Sequence, residues 1–485
     1  MLSNGVWALI LVVVLVGLTS ISWYVNRAAF LVIVCHNVIW AGAILLIGTN
    51  LIAYKESSAA AWLTLTFGIA FFNVGVWLAR RPIGRWWPWA RRPGRVTPDT
   101  ADRAPARVAL VTRRTLLVVT LIYAVAFGAY LVNIAVRFGL LELITSPASI
   151  RGFHGESYLE SVPFVVRVFL YLGPLLFAIF GWKSAVERPL PLWVRAVALV
   201  LLTGSMLALL QRTNLFMAVL WLIAILITQS RKRAESAGHD ESVTRRGGFA
   251  RKARVAFPVV GFVLVAFIAF QAVGGALHKS GQQAESTGAV SPALIASGLT
   301  SPYTYYTAGT VAFLQLVDSN NHGWPPVHQQ AVMVVGNYNP QTWGAATFAP
   351  ILKAVPGSRP WASIDPYINT GVLTNVYTWL VPYYRDFRLP GVAIAMFLLG
   401  LLIARLYMLR FRSARIFWIQ SAFISTIFLA TFATKINNTL FVCEVIFVFL
   451  LTIDPTRLST AWRTRGLRKE LVVDSAIPAD VKSDG

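Results

Sequence analysis

A helix needs about 20 consecutive apolar residues to cross a bilayer, and this 485-residue chain offers that pattern repeatedly. Apolar runs lie near 5–24, 28–54, 59–79, 115–135, 162–181, 192–209, 215–229, 255–276, 389–409, 416–434 and 439–453. They predict an all-α polytopic integral membrane protein with about eleven crossings. In hydrocarbon a crossing segment must satisfy its own backbone hydrogen bonds, which is why helices are the expected element. The short runs 215–229 and 439–453 borrow flanking residues from 212–214 and 435–438. Composition excludes an ordinary soluble globule: 56% of residues are hydrophobic, 13% are charged and the mean hydropathy is +0.62. The first run has no Lys or Arg ahead of it and Arg27 behind it, so it is expected to stay as a helix rather than to be cleaved as a signal peptide.

The net charge of +23 lies in short basic blocks between apolar runs, so it speaks for membrane topology rather than for nucleic acid. Ten arginines between Arg80 and Arg114, and eight Lys or Arg between Arg231 and Arg254, place the loops 80–114 and 231–254 in the cytoplasm. Eleven crossings then put the N-terminus outside and the tail, with Arg457, Arg463 and Arg465, inside. The turn at 410–415, with Arg410, Arg412 and Arg415, was not used for this assignment and falls inside as it should. The chain therefore divides into a polytopic domain over 1–470 and a disordered cytoplasmic tail over 471–485. One large extracytoplasmic loop spans 277–388. Both cysteines, Cys35 and Cys443, lie inside apolar runs and are expected to be packing residues. No metal site and no cofactor are predicted.

The second half of the large loop is dense in aromatic residues, among them Trp361, Tyr377, Trp379 and Tyr384. Such rings either stack on the C–H faces of sugars or form a belt at the membrane interface. In the outer loop 136–161, Arg151, His154 and Glu156 are grouped around two glycines, a set able to supply a cation and a general base, or simply a polar surface. Arg167 and Glu444 are interior to predicted helices, each roughly 7–8 Å below the outer end at 1.5 Å per residue. Equal depth and opposite sign predict a pair, either a structural bridge or a wall of a charged cavity. No P-loop and no Asp-x-Asp motif occur, which disfavours an ATP-driven transporter and a metal-dependent nucleotide-sugar transferase.

The segment from Asn375 through Tyr377, Thr378, Pro382, Tyr384, Arg385, Asp386 and Phe387 to Gly391 runs into an apolar helix. It resembles the end of the main outer loop in Wzy-type O-antigen polymerases, which join oligosaccharide repeat units. Gln211-Arg212-Thr213-Asn214 is similar to an Arg-Thr turn of the same family. The chain departs from the family pattern at Arg388, where Gly commonly follows Asp-Phe.

The resemblance implies a glycosyltransferase of the bacterial plasma membrane whose substrate is a polyprenyl-diphosphate-linked oligosaccharide. Its candidate partners are membrane lipids and a chain-length regulator. The leaving diphosphate calls for cations, and Arg212, Arg151 and Arg385 are the candidates, the alternative for each being an interfacial anchor. His154, Glu156 and Asp386 are the candidate bases, and Trp361, Tyr377, Trp379 and Tyr384 the candidate sugar contacts. Two other functions fit the same helical plan: a polyprenyl-linked ligase or single-sugar transferase, and a flippase or transporter of the same lipid-linked glycan. The transporter would be expected to show matched halves with short loops.

Overall fold

The computed structural model describes residues 3–80, 110–146, 150, 158–209, 212–237, 289–321, 344–353, 355, 357 and 368–452. The predicted helix 255–276, most of the two basic loops and the tail lie outside them. The principal helices are α1 (Asn4–Val25), α2 (Phe30–Gly48), α3 (Ala59–Leu78), α4 (Arg113–Arg137), α5 (Phe164–Leu170), α6 (Gly173–Gly181), α7 (Leu192–Ala208), α8 (Arg212–Ala237), α9 (Thr300–Asn321), α10 (Val381–Met408), α11 (Ala414–Ile427) and α12 (Thr439–Leu451).

Among the described residues, six stretches are long and apolar enough to cross a membrane: α1, Arg27–Gly48, α3, α4, the α5–α6 stretch Phe164–Gly181, and α10. Three shorter apolar helices, Leu192–Ala208, Thr213–Gln229 and Thr439–Leu451, accompany them. This is the architecture of an all-α membrane protein. Pairing outside helices is slight: Ile368–Asn369 meets Leu373–Thr374 in an antiparallel ladder, turned by Gly371 at φ +105°.

Helix ends sort into two groups. At the first end, the Asn4 side chain donates to the Lys55 carbonyl (3.0 Å) and accepts from the Ser57 amide (3.2 Å). There too Ser291 N–H donates to Leu51 O (2.9 Å), Lys55 N–H to Thr370 O (2.8 Å) and Trp379 N–H to Ala430 O (2.9 Å). At the second end, Asn26 Nδ2 donates to Val76 O (2.8 Å) and Arg80 to Val25 O (3.2 Å). Leu110 N–H donates to Ala185 O (2.8 Å), and Arg415 Nε to Thr452 Oγ1 (2.8 Å), at that same end. Consecutive crossing segments run alternately between the two groups from α1 to α8, and again from α10 to α12.

The centre of the bundle is the contact between α3 and α10. A Cβ placed on Gly75 would overlap the Phe397 carbonyl oxygen, and one on Gly400 would overlap the Phe72 carbonyl oxygen. The two backbones therefore touch, a close approach that only glycine permits and that maximises van der Waals contact where hydrophobic driving force is absent. Around this line pack Trp62, Phe72, Trp379 and Met396, all buried.

The structure departs from the sequence expectation in the large loop. Residues 300–321, expected as loop, form α9, whose Thr307, Thr310, Val311, Phe313 and Leu314 are fully buried. Several of its polar groups are met: Thr304 and Thr307 donate to the carbonyls four residues back in the same helix (2.7 Å each), and Tyr306 OH to Ile39 O on α2 (2.6 Å). Asp318 at its far end accepts from the Ser58 amide (3.0 Å) and hydroxyl, holding the start of α3. A Cβ on Gly309 would overlap the Thr431 carbonyl oxygen. The expected run 416–434 also ends early, at Ile427, because residues 428–438 turn to receive these contacts.

Candidate functional site

Three segments meet at the first end: 344–348, 377–388 and 430–438. Asp386 is fully buried, and its carboxylate accepts from the amides of Ala346 (3.3 Å) and Thr347 (2.6 Å). Tyr383 OH donates to Asn437 Oδ1 (2.9 Å), while Asn437 Nδ2 donates to Thr347 O (3.1 Å). Thr434 Oγ1 donates to Thr378 O (3.0 Å), which closes the junction. Asp386 thus holds the 344–348 turn, each carboxylate oxygen accepting one backbone amide.

The chain enters this junction through an unusual bend. The first helical turns of α10, from Val381, are separated from its long segment by Arg388, at φ 57° and ψ −149°. Glycine alone visits that region readily, and other residues there cost about 1–3 kcal/mol. The expected run from 389 is the segment after the bend, with Pro390 in its first turn, where a missing N–H is tolerated. Glycine would take these angles without that cost. Arg388→Gly is expected to raise the thermal midpoint in detergent, corresponding to about 1 kcal/mol. A lowered midpoint would mean that the Arg388 guanidinium, 5.6 Å over the Tyr384 ring, contributes more than the strain removes.

Cations collect at the junction. Arg385 is buried, with its guanidinium 5.2 Å over the Tyr377 ring. Lys435 is also buried, and desolvation pulls its ammonium down to about 8, against the opposing pull of the Glu444 carboxylate. Glu444 is fully buried and neither carboxylate oxygen has a hydrogen-bond partner among the described residues. The charged group facing it is Lys435, a residue the sequence offered only as a helix flank. Arg167, the partner expected from depth, is half-buried with its guanidinium 5.5 Å over Phe164, and its charge acts on Cys443, next to Glu444.

The aromatic candidates are not laid out on a loop surface. Tyr377, Trp379 and Tyr384 are all buried. Trp379 packs into the bundle, its ring 5.8 Å from His36 and 5.7 Å from Phe72, and Tyr384 meets Phe313 edge-on at 5.7 Å. In this conformation Trp379 is a core residue rather than a sugar platform. Arg212 is the first residue of α8 and lies at the first end. One turn further on, Phe216 lines an apolar groove of about 650 Å³ shared with Tyr303, Tyr306 and Phe432. Arg151, His154, Glu156 and Trp361 lie outside the described residues.

Sequence reading missed Lys435, Asn437 and Thr347. The available signal was a run of polar residues, Lys435 to Asn438, in a turn between two apolar segments where a shorter connection would have served. No protein-family model, no curated protein and no solved structure matches the chain.

Proposed function

We propose that this protein polymerises polyprenyl-diphosphate-linked oligosaccharide repeat units on the extracytoplasmic face of a bacterial plasma membrane. In this reading the chain crosses about eleven times with the first end outward and the N-terminus outside. The arginines Arg27, Arg80, Arg410, Arg412 and Arg415 all fall at the second end, in keeping with a cytoplasmic position.

The observation that carries the proposal is the burial of two cations, Arg385 and Lys435, in one junction built by the family-like segment 375–391. In the reaction, the terminal hydroxyl oxygen of an incoming unit attacks the anomeric carbon of the growing glycan. The bond from that carbon to the diphosphate breaks, and the hydroxyl proton passes to a base, for which His154, Glu156 and Asp386 are the candidates. Negative charge builds on the leaving diphosphate, and fixed cations away from bulk water are the groups that stabilise it. Arginine suits this role through its planar fork of donors. The groove beside Phe216 and Tyr303 offers an apolar seat for the isoprenoid chain, next to Arg212 at the start of α8.

A strain lacking the protein is expected to make single repeat units on the lipid carrier and no long polymer, read by separating the lipid-linked and polymeric glycans. Normal chain lengths in that strain would overturn the proposal. In proteoliposomes supplied with labelled lipid-linked units, a polymerase produces a ladder, a ligase one joined product, and a transporter moves the unit unchanged.

A further inference from the structure

At the second end, opposite the junction, a pocket of about 490 Å³ is lined by Trp23, Tyr24, Asn26, Arg27, Ala28 and Arg80. Among the described residues none of its lining is acidic. Its frame is fixed: the Asn26 side chain donates to Val76 O (2.8 Å) and accepts from Ala29 N–H (3.3 Å), tying the α1–α2 connection to the end of α3. Arg80 is held by its bond to Val25 O (3.2 Å), and the Arg27 guanidinium rests 4.5 Å over the Trp23 ring. Two cations from different helix ends are therefore held at one opening.

A second cavity adjoins it. A groove of about 450 Å³ between α1 and α2 shares Trp23 and Tyr24 with the basic pocket and continues along Val16, Phe30 and Val38. Asn37 at its wall is already satisfied, donating to Thr19 Oγ1 (2.8 Å), so the groove makes no polar demand on an occupant. Val13, Val16 and Val38 are 64%, 60% and 61% exposed, which leaves this side of the bundle facing the hydrocarbon. Trp23 and Tyr24 mark the level where apolar gives way to polar, as aromatic residues do at membrane interfaces.

An apolar trough in the hydrocarbon that opens at headgroup depth onto two arginines has the shape and polarity of one phospholipid molecule. We propose that it is a binding site for an anionic glycerophospholipid, with one acyl chain along the α1–α2 groove and the phosphodiester between Arg27 and Arg80. Guanidinium groups favour a phosphate through bidentate, charge-assisted bonds. A lipid with a cationic headgroup brings its own ammonium towards those same two arginines and is disfavoured. The assignment rests on membrane embedding and on this geometry, and it stands or falls separately from the glycan reaction.

Native mass spectrometry of the full chain in nonionic detergent, titrated with phosphatidylglycerol or phosphatidylcholine, tests it. Phosphatidylglycerol adducts are expected to form preferentially. The Arg27→Ala/Arg80→Ala double variant should weaken them about 30-fold, the loss expected from two surface arginines acting on an anionic lipid. Arg27→Lys/Arg80→Lys, which keeps the charge, should retain most of the binding. Val38→Trp leaves both arginines in place but fills the groove, and is expected to reduce adducts to a comparable degree; it decides the matter should the alanine variant fail to elute as a single species. Equal binding of the two lipids overturns the proposal, as does unchanged binding in either the double variant or the Val38 variant. Displacement of the lipid by millimolar inorganic phosphate would also overturn it, since a headgroup site alone would then suffice.

Discussion

A Gly400→Leu variant is expected to yield no folded protein that survives detergent extraction. The Cβ of any larger residue would fall on the Phe72 carbonyl oxygen, with the Phe72 carbonyl carbon only 3.0 Å away. Those are backbone atoms, so no rotamer change can relieve the overlap, and the helices must separate. Separation also removes the reciprocal seat of Gly75 on Phe397, so one substitution loosens the whole α3–α10 line. Overpacking in a core costs about 1–3 kcal/mol when side chains can shift; here the obstacle is main chain, and the effect should exceed that range. Size-exclusion profiles of a fluorescent fusion provide the measurement. Gly128→Leu is the matched control, because nothing lies within 4 Å of a Cβ there, and it should elute as wild type. Wild-type elution of the Gly400 variant would show that α3 and α10 do not approach this closely.

Arg385→Ala is expected to reduce polymer formation by about 10²–10³-fold while single lipid-linked units persist. That is the usual effect of removing one donor aimed at charge developing in a transition state. Because Arg385 is buried over Tyr377, truncation also threatens packing, so the comparison should include Arg385→Lys. Lysine keeps the charge but loses the planar fork, and an intermediate polymer yield is expected from it. Arg412→Ala, at the opposite end, should leave the polymer unchanged. The readout is the length distribution of surface glycan in a deletion strain complemented with each variant at matched protein level. Full-length polymer from a well-expressed Arg385→Ala protein would remove Arg385 from the reaction.

The crossing helices were legible because hydrocarbon imposes a simple rule of length and polarity. The run read as 59–79 is observed at Ala59–Leu78 and that read as 192–209 at Leu192–Ala208. Helix α9 escaped that rule. Threonine and tyrosine interrupt its apolar residues, and it becomes a good occupant of the bundle only once Tyr303 and Tyr306 reach carbonyls on α2 and Thr307 meets the Tyr54 hydroxyl. Such matching is a property of the assembled bundle and leaves no periodic trace. Trp379 failed for the converse reason: its composition-rich neighbourhood suggests a surface, yet its ring enters the core because Trp379 N–H is anchored to Ala430 O. The bend at Arg388 leaves no mark in the apolar pattern, and only the backbone angles reveal it.

Helix α9 also constrains how the protein can be built. It is not among the stretches long and apolar enough to cross a membrane, and it draws its support from tertiary packing. Its seat consists of Ile39 on α2, Ser58 at the start of α3 and Thr431 after α11, residues separated by most of the chain. Two of these precede α9 in the chain and one follows it, so the seat is complete only once synthesis has passed Thr431. Helix α9 can meet α2 and the start of α3 as it emerges, but its packing against Thr431 waits for the rest of the chain.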